Sequence, residues 1–382
     1  MVHKPSLTGT EGKLSFAPVL RRTGVEGCAR QGWARHGWAS DTAALVPGCA
    51  GAKDSAGATD SAGATDSAAP KEAKTRRFFL LLAGHPVASP RGVVGSFKGV
   101  VRSAKEELGA ALLAVLNVTP DSFFDGGRYL RRDAARHRID ELLAEGAHVI
   151  DVGAESTRPG ASPVSADEQI DRISDAIIHA VARGVLVSID TTLPEVAKAA
   201  LQLGAQIIND VSCLTDSSLA QVALDYDADL IIMHSRGSMT DMKSFSVYEE
   251  HAYQDVVGEV CQEWRHAQER AGALGLDADR VWFDPGLGFH KSAAHSRTIF
   301  SRLEEFAQLG AGLVIGASRK SFIGALDGSG PEQRLGGSIA ASLRAVDAGA
   351  QVLRVHDVRE TKQALLARRT FAKKPMESAV TA

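Results

Sequence analysis

Residues 112–127 read LLAVLNVTPDSFFDGG, and this stretch decides the fold. The apolar run at 112–117 shows no alternation, which is typical of a strand buried on both faces in a parallel sheet. The run ends at Asn117, and turn residues follow at once, because proline restricts its own φ and glycine accepts positive φ. The stretch therefore predicts a buried strand that opens into an acidic loop carrying two phenylalanines.

An apolar run that leads into polar residues occurs seven more times along the chain. The predicted strands are 112–117, 148–153, 185–190, 207–212, 230–234, 281–286, 313–318 and 352–356. The predicted helices between them include 134–145, 168–182, 195–203 and 248–271, the longest. Eight strand–helix alternations over about 260 residues match the α/β fold of the (β/α)8 TIM barrel, which typically has about 250 residues. A doubly wound open sheet is the alternative, but no GxGxxG motif follows the first strand.

Composition narrows the class of protein. Hydrophobic residues make up 44% of the 382 residues and the net charge is −3, which argues against non-specific binding to nucleic acid or an anionic membrane. Cys28, Cys49, Cys213 and Cys261 are far apart without zinc-ligand spacing, which predicts reduced thiols in a cytoplasmic protein. No apolar run approaches the roughly 20 residues of a membrane helix. We therefore expect a soluble globular protein that binds neither nucleic acid nor a membrane.

Residues 1–75 differ from the rest in composition. A DSAGAT tandem at 54–67 lies among Ala, Gly, Ser and Thr, so we expect a largely disordered extension that cannot bury enough apolar surface to offset chain entropy. A transit peptide is the alternative, although such peptides are poor in acidic residues. Residues 76–111 are an ambiguous lead-in, with an edge strand at 76–83 and a short helix at 100–108 as candidates. The barrel domain is predicted at 112–375.

Polar side chains follow every predicted strand, at the barrel end where active sites of this fold are built. One set combines acids with amide and ammonium donors, which suits a planar heterocycle: Asp190, Asn209, Asp284 and Lys320. A second set suits an anion with several oxygens, such as pyrophosphate: Asn117, Arg354 and His356.

The first loop adds Asp121 and Asp125, which can approach Mg²⁺ attached to that anion. Structural alternatives exist for single residues, since a lone Asp after a strand often caps a helix, and Arg354 with His356 also suits a salt bridge to a neighbouring strand. The convergence of all eight strand ends on one rim favours a site.

Eight motifs, in strand order, resemble dihydropteroate synthase. They are LNVTPDSFFDGG, DVGAESTRPGA, SIDT, INDVS, IIMHSRG, DPGLGF, GASRKSFIG and RVHDV. The resemblance covers residues 112–366. It implies a homodimeric (β/α)8 barrel that uses Mg²⁺ and is a target of sulfonamides. The implied reaction joins 6-hydroxymethyl-7,8-dihydropterin pyrophosphate to p-aminobenzoate, gives 7,8-dihydropteroate and releases pyrophosphate.

The resemblance also implies roles for individual residues. The pterin is expected against Asp190, Asn209, Met233, Asp284 and Lys320. The pyrophosphate is expected at Asn117, Arg354 and His356, with Asn117 as a ligand of Mg²⁺. The p-aminobenzoate is expected against Phe123, Thr157, Arg158, Pro159, Phe289 and Ser321. The residues expected to act in catalysis are Asp121, Asp125, Lys320, Arg354 and His356, the two aspartates lying near the cationic methylene.

Two other functions remain open from the sequence. A related methyltransferase passes a methyl group from methyltetrahydrofolate to a corrinoid protein, but it needs neither the RPG loop nor the SRKS motif. A barrel that only binds a pterin or a partner protein is the second, and loss of Lys320, Arg354 or Asp190 would have favoured it. Three residues depart from the usual family text, namely Phe124, Leu287 and His290, and His290 is expected on the surface of a loop.

Overall fold

Eight parallel strands close into a barrel in which each strand pairs with its neighbours in chain order and β8 returns to β1. The computed structural model describes residues 95–119, 128–155, 163–237, 242 and 244–372. The strands are β1 (Ala111–Asn117), β2 (Val149–Gly153), β3 (Leu186–Asp190), β4 (Ile207–Asp210), β5 (Asp229–Met233), β6 (Val281–Asp284), β7 (Gly312–Ile315) and β8 (Val352–Val355). The closed barrel confirms the predicted fold.

One helix precedes β1, and further helices alternate with the strands. They are α1 (Phe97–Leu108), α2 (Arg128–Glu145), α3 (Ala166–Ala182), α4 (Pro194–Gln202), α5 (Ser218–Asp225), α6 (Val256–Ala273), α7 (Ala293–Ser301), α8 (Leu303–Ala307), α9 (Ser321–Gly324), α10 (Leu335–Asp347) and α11 (Val358–Phe371). The predicted extension at 1–75 and the candidate strand at 76–83 lie outside the described residues. In the part of the chain that is described, no helix is long and apolar enough to cross a membrane.

The interior of the barrel is layered because alternate residues of a strand point to the same face. The lowest layer is apolar and buried: Leu113, Val149, Leu186, Ile207, Ile231, Trp282, Val314 and Val352. Two residues further along, β2, β4, β6 and β8 carry Asp151, Asn209, Asp284 and Arg354. The interior therefore changes from an apolar floor to a polar layer toward the C-terminal ends of the strands.

Helix α1 closes the apolar end of the barrel. Ser96 caps it by accepting a hydrogen bond from the Gly99 amide at 3.1 Å, and Phe97 lies 4.5 Å from the Trp282 ring between centroids. Burial of a phenylalanine stabilises the fold by about 1.5–3 kcal/mol. This confirms the candidate helix at 100–108 and extends it to Phe97.

The predicted helix at 248–271 is wrong in its first part. Helix α6 begins at Val256, where Asp255 accepts from the Val257 amide at 3.3 Å. The preceding residues form a loop with a single 3-10 turn at Glu250–Ala252. Tyr253 donates from its hydroxyl to the His290 carbonyl at 3.1 Å, so contacts with a distant loop override the local helical pattern.

Candidate active site

A buried ion cluster spans the polar layer of the barrel. Arg354 on β8 donates from Nε to Asp151 Oδ2 at 2.7 Å and from Nη2 to Asp190 Oδ2 at 2.7 Å. Asn209 donates from Nδ2 to Asp151 Oδ2 at 3.2 Å. Because Asp151 and Asp190 belong to β2 and β3, the guanidinium reaches past the neighbouring strand β1. It holds two carboxylates at fixed positions inside the barrel.

Burial dominates the electrostatics of this cluster. It raises the pKa of Asp190 to about 7, and nearby Asp151 adds to the shift while Arg354 opposes it. For Arg354, burial works against the charged form, but Asp151 and Asp190 outweigh it and raise the pKa. The arginine therefore stays charged, whereas the Asp190 carboxyl titrates near neutral pH.

Two more charged groups face the same space, Asp284 at the end of β6 and Lys320 on the loop after β7. Asp284 Oδ1 accepts from the Gly286 amide at 2.8 Å, and Lys320 Nζ donates to the Leu287 carbonyl at 2.8 Å. Burial raises the pKa of Asp284, with Lys320 opposing. Burial also lowers the pKa of Lys320 to about 8, with Asp284 opposing.

Gly316 shows that these groups converge. A Cβ added at this glycine would lie 3.5 Å from Asp284 Oδ2, 3.7 Å from Lys320 Nζ and 3.7 Å from Arg354 Cβ. An acid, an ammonium and a guanidinium stem thus surround one backbone position that has no side chain of its own. The absence of a side chain at Gly316 keeps the space between them open to a ligand.

An apolar wall borders this charged space. Met233 and Phe289 are both buried and pack with Val211 and Met242. The Phe289 ring lies 4.7 Å below Lys320 Nζ and meets Phe245 edge-on at 5.2 Å between centroids. A flat ring inserted here would meet hydrocarbon on one face and charged groups at its edges.

Two further predicted residues lie at the mouth of the barrel. Asn117 is exposed. A Cβ added at Gly153 would lie 3.5 Å from Asn117 Oδ1 and 3.8 Å from Asp190 Oδ2, so the two side chains border the same point. His356 Nδ1 lies 3.1 Å from Ser318 Oγ. Burial, with Arg354 adding, lowers the pKa of His356 to about 4, so the imidazole is neutral at pH 7.

Loops β7–α9 and β8–α11 are tied together beside these groups. Arg319 forms a two-pronged contact with Asp357, from Nε at 2.9 Å and from Nη2 at 2.5 Å. Its amide also donates to Ser338 Oγ at 2.8 Å. Because Arg319 precedes Lys320 and Asp357 follows His356, this clamp fixes the relative positions of both residues.

The sequence and the fold match one family along most of the barrel. The sequence model of the pterin binding enzyme family matches residues 113–356. A dihydropteroate synthase of Streptococcus pyogenes is 40% identical over 258 residues, which cover 66% of this chain and 92% of the relative.

Solved structures give the same result. The Xanthomonas albilineans dihydropteroate synthase with 4-aminobenzoic acid superposes with a TM-score of 0.64 at 38% identity, covering 70% of this chain and 94% of that one. The Yersinia pestis dihydropteroate synthase in complex with a sulfonamide drug superposes with a TM-score of 0.62 at 34% identity, covering 68% and 93%.

The chain belongs to the dihydropteroate synthase family. The family predicted from the eight motifs is therefore confirmed. The relatives named above are synthases, which favours that prediction over the corrinoid methyltransferase and the binding-only barrel. The structure brings seven of the predicted site residues together at one end of the barrel: Asp190, Asn209, Met233, Asp284, Phe289, Lys320 and Arg354. Three more surround this group: Asn117, His356 and Ser321.

Six of the predicted residues lie outside the described residues, in the segments that follow β1 and β2 in the sequence. They are Asp121, Phe123, Asp125, Thr157, Arg158 and Pro159. Phe124 lies there too. Their roles, and the ligand roles of all the residues above, remain predictions from the family resemblance.

A buried network beside the site involves residues for which the sequence predicted no role. Lys291 is fully buried, and its Nζ lies 2.9 Å from His234 Nδ1 and donates to the Phe289 carbonyl at 3.1 Å. His234 Nε2 in turn lies 2.9 Å from Glu263 Oε2. Burial lowers the pKa of Lys291 to about 7. No periodicity marks a buried lysine, so only the packed loop reveals it.

The expected surface position of His290 is wrong. Only 5% of this residue is exposed, and its Nδ1 lies 2.8 Å from Ser235 Oγ. It adopts a positive φ of 46°, and its ring meets that of Tyr248 edge-on at 5.7 Å between centroids. The long loop after β5 covers His290, and no local signal could have predicted that cover.

Replacing Lys291 with methionine is expected to lower the free energy of unfolding at pH 7 by about 1–3 kcal/mol, because His234 Nδ1 and two carbonyls lose a buried donor. The lysine binds fewer protons in the folded than in the unfolded state between about pH 7 and pH 10.5. Its contribution to stability therefore rises with pH, and the deficit of the variant should grow between pH 7 and pH 9.

Urea unfolding at several pH values measures this effect. The matched control is Lys98→Met, because Lys98 is 64% exposed in its pair with Asp279 and such pairs contribute about 0–1 kcal/mol. A Lys291→Met variant as stable as the control at both pH values would show that the buried network contributes nothing.

Proposed function

We propose that this chain is a dihydropteroate synthase, which joins 6-hydroxymethyl-7,8-dihydropterin pyrophosphate to p-aminobenzoate and releases pyrophosphate. The convergence of Asp284, Lys320 and Arg354 around Gly316 is the observation that carries the proposal. This arrangement supplies acceptors and donors of opposite charge within one small space at the end of the barrel, where enzymes of this fold bind their ligands.

The proposed pterin pocket uses the polar layer and its apolar wall. Asp284 and Asp190 would accept from the N–H edge of the pterin, and Lys320 and Asn209 would donate to its carbonyl and ring nitrogens. Met233 would contact the ring face. The burial of Asn209, Met233 and Asp284 supports this assignment, because buried polar groups and a flat ligand with matching edges satisfy one another.

The proposed p-aminobenzoate site lies nearer the mouth. Ser321 would donate to the substrate carboxylate and Phe289 would contact the aromatic ring, with Phe123, Thr157, Arg158 and Pro159 completing the site from the two loops. A sulfonamide carries the same aniline group, so it is expected to compete with p-aminobenzoate. The sulfonamide complex of the Yersinia pestis synthase supports this expectation.

The proposed pyrophosphate site combines Asn117, Arg354 and His356. Among the described residues, no group of three or more His, Cys, Asp or Glu side chains could hold a metal. Asn117 offers one amide oxygen at the mouth, and Mg²⁺ prefers few protein ligands together with substrate phosphates and water. These residues therefore fit Mg²⁺ that is held by the pyrophosphate, with Asn117 as a protein ligand.

The proposed mechanism is dissociative. Mg²⁺, when bound, would neutralise charge on the leaving pyrophosphate. Arg354 would hold the leaving oxygens together with the neutral His356, whose Nδ1 is already engaged with Ser318. Asp121 and Asp125 would stabilise the positive charge that develops on the pterin methylene. The C–O bond to pyrophosphate would break first. The aniline nitrogen would then form the C–N bond to the methylene, and its proton would leave with the pyrophosphate, while closure of the segments after β1 and β2 would exclude water.

Pyrophosphate release by the full chain tests this proposal. The expected result is release that requires the pterin pyrophosphate, Mg²⁺ and p-aminobenzoate together, with 7,8-dihydropteroate as the second product. Tight binding of the pterin without p-aminobenzoate-dependent turnover would contradict it and would favour the methyltransferase or the binding-only barrel. Addition of a corrinoid protein and methyltetrahydrofolate would then separate those two.

The pH dependence of kcat/KM for the pterin substrate is expected to be bell-shaped, because kcat/KM reports groups of the free enzyme. On the acid side, protonation of Asp190, with its pKa of about 7, should lower kcat/KM. On the alkaline side, deprotonation of Lys320, with its pKa of about 8, should lower kcat/KM. The measurement uses saturating p-aminobenzoate, and a flat profile from pH 6 to pH 9 would contradict both assignments.

We also propose that the chain acts in the cytoplasm as a homodimer and that the 1–75 extension is dispensable for chemistry. The contact between α1 and Trp282 supports a barrel unit that begins before Phe97 rather than at Leu112. Size-exclusion chromatography with light scattering tests the dimer. Assay of a variant without residues 1–75 tests the extension, and a large loss of kcat would contradict its dispensability.

A further inference from the structure

We propose that Ser246, on the loop between β5 and α6, is a positioning residue for recognition of the p-aminobenzoate carboxylate, acting through Ser321. The inference rests on the proposed function. Its basis is a direct contact between the two hydroxyl groups, with Ser321 Oγ 2.7 Å from Ser246 Oγ. Both residues are half-buried, so the pair is partly shielded from solvent but not enclosed.

Main-chain hydrogen bonds hold Ser246 in place on both sides. Its amide donates to the Gly288 carbonyl at 3.0 Å, and its carbonyl accepts from the Ala293 amide at 3.1 Å. Its φ of 59° lies in the left-handed region, which is uncommon for residues other than glycine. The loop that follows β6 thus imposes the conformation of Ser246 and aims it at Ser321.

Side chains flanking Ser246 anchor the same loop. Phe245 meets Phe289 edge-on at 5.2 Å between ring centroids. Tyr248 meets the buried His290 ring at 5.7 Å, and Arg236 stacks on Tyr253 at 3.8 Å from its ring centroid. These contacts hold residues 245–253 of the loop against the segment that follows β6, and the Ser246 hydroxyl is held at a defined place.

The chemistry of a hydroxyl group explains why this contact matters. A hydroxyl carries one proton and two acceptor lone pairs. When Ser321 donates its proton to an anionic carboxylate, it can contact Ser246 only as an acceptor, so Ser246 must donate. The resulting chain runs from Ser246 through Ser321 to the carboxylate, and hydrogen bonds arranged in one direction strengthen one another. Ser246 thus orients and polarises the Ser321 hydroxyl.

Replacement of Ser246 with alanine tests the inference. The expected result is a rise of about three- to tenfold in KM for p-aminobenzoate, the size of one lost hydrogen bond. KM for the pterin pyrophosphate and kcat should stay near wild type, which a general loss of structure would not allow. The matched control is Ser244→Ala, because Ser244 is exposed on the same loop.

A second variant guards against a folding artefact. Ser246→Gly removes the hydroxyl but suits the positive φ, so it should raise KM as Ser246→Ala does while unfolding at the same or a higher urea concentration. In a double-mutant cycle with Ser321→Ala, removal of the Ser246 hydroxyl should have little further effect, because Ser246 acts through Ser321.

Three results would overturn the inference. If both Ser246 variants turn over at the wild-type rate with an unchanged KM for p-aminobenzoate, the inference is overturned and the proposed function stands. Additive effects of the Ser246 and Ser321 substitutions would show that Ser246 does not act through Ser321. Absence of p-aminobenzoate-dependent turnover in the wild-type chain would overturn the proposed function, and this inference with it.

Discussion

Replacing Arg354 with alanine is expected to lower the free energy of unfolding by about 3–5 kcal/mol, because removal of one partner leaves buried charge uncompensated. Asp151 is fully buried and Asp190 is nearly so, and both contact this guanidinium at 2.7 Å. Pyrophosphate release should fall to background, because the same guanidinium is the proposed anchor of the leaving group.

The stability loss should depend on pH in a defined direction. Burial raises the pKa of Asp190 to about 7 even with Arg354 present. At pH 5 a proton can neutralise Asp190 in the variant, whereas at pH 8 its negative charge stays buried without a partner. The difference between wild type and Arg354→Ala should therefore be smaller at pH 5 than at pH 8.

Urea unfolding and steady-state kinetics measure the two effects separately. Arg344→Ala is the matched control, because Arg344 and Glu304 pair on the surface with side chains 37% and 53% exposed. Such a pair contributes about 0–1 kcal/mol. Adding Asp190→Asn to Arg354→Ala should restore part of the stability without restoring activity. An Arg354→Ala protein as stable as the control would contradict the proposed cost of the unpaired carboxylates.

Replacing Asp284 with asparagine is expected to lower kcat/KM for the pterin pyrophosphate by about a hundred- to a thousandfold, the usual effect of removing one buried charged partner of a ligand. Asparagine keeps an acceptor for the Gly286 amide, which Asp284 now satisfies at 2.8 Å. It cannot offer the negative charge that a pterin N–H edge requires. The fold should persist while pterin binding is lost.

Calorimetric titration with a pterin, followed by kinetics at saturating p-aminobenzoate, measures this prediction. Asp279→Asn is the control, because Asp279 is 81% exposed in a pair with Lys98. Urea unfolding verifies that the variant is folded. Unchanged pterin affinity in Asp284→Asn would place the pterin elsewhere in the barrel and contradict the proposed pocket.

Much of the fold could be predicted because its signals are local. Each apolar run became a strand, and the chain order of strands and helices admits few other arrangements. The first three strands end where they were predicted to end, whereas the predictions for β4 to β8 extend too far at the C-terminal end. The run at 281–286, for example, ends as a strand at Asp284 because Pro285 cannot donate to the ladder.

Only some of the functional residues could be predicted from the sequence. Residues at a strand end or on the loop that follows it, such as Asp190 and Lys320, could be predicted to meet because parallel strands of a barrel end at one rim. Asp151 lies inside β2 and was assigned no role in the predicted site, yet it holds Arg354. Ser246 and Lys291 belong to loops whose contacts span 75 and 57 residues of sequence.

The sequence by itself determined the barrel, its family and the chemical character of the rim, because these depend on periodicity and on motifs read along the chain. Only the tertiary structure decided which carboxylates share Arg354, that Lys291 is buried, and that Ser246 meets Ser321. Those contacts depend on the packing of distant loops, where desolvation sets the pKa of each group and geometry selects its partner. Local propensity carries no information about either.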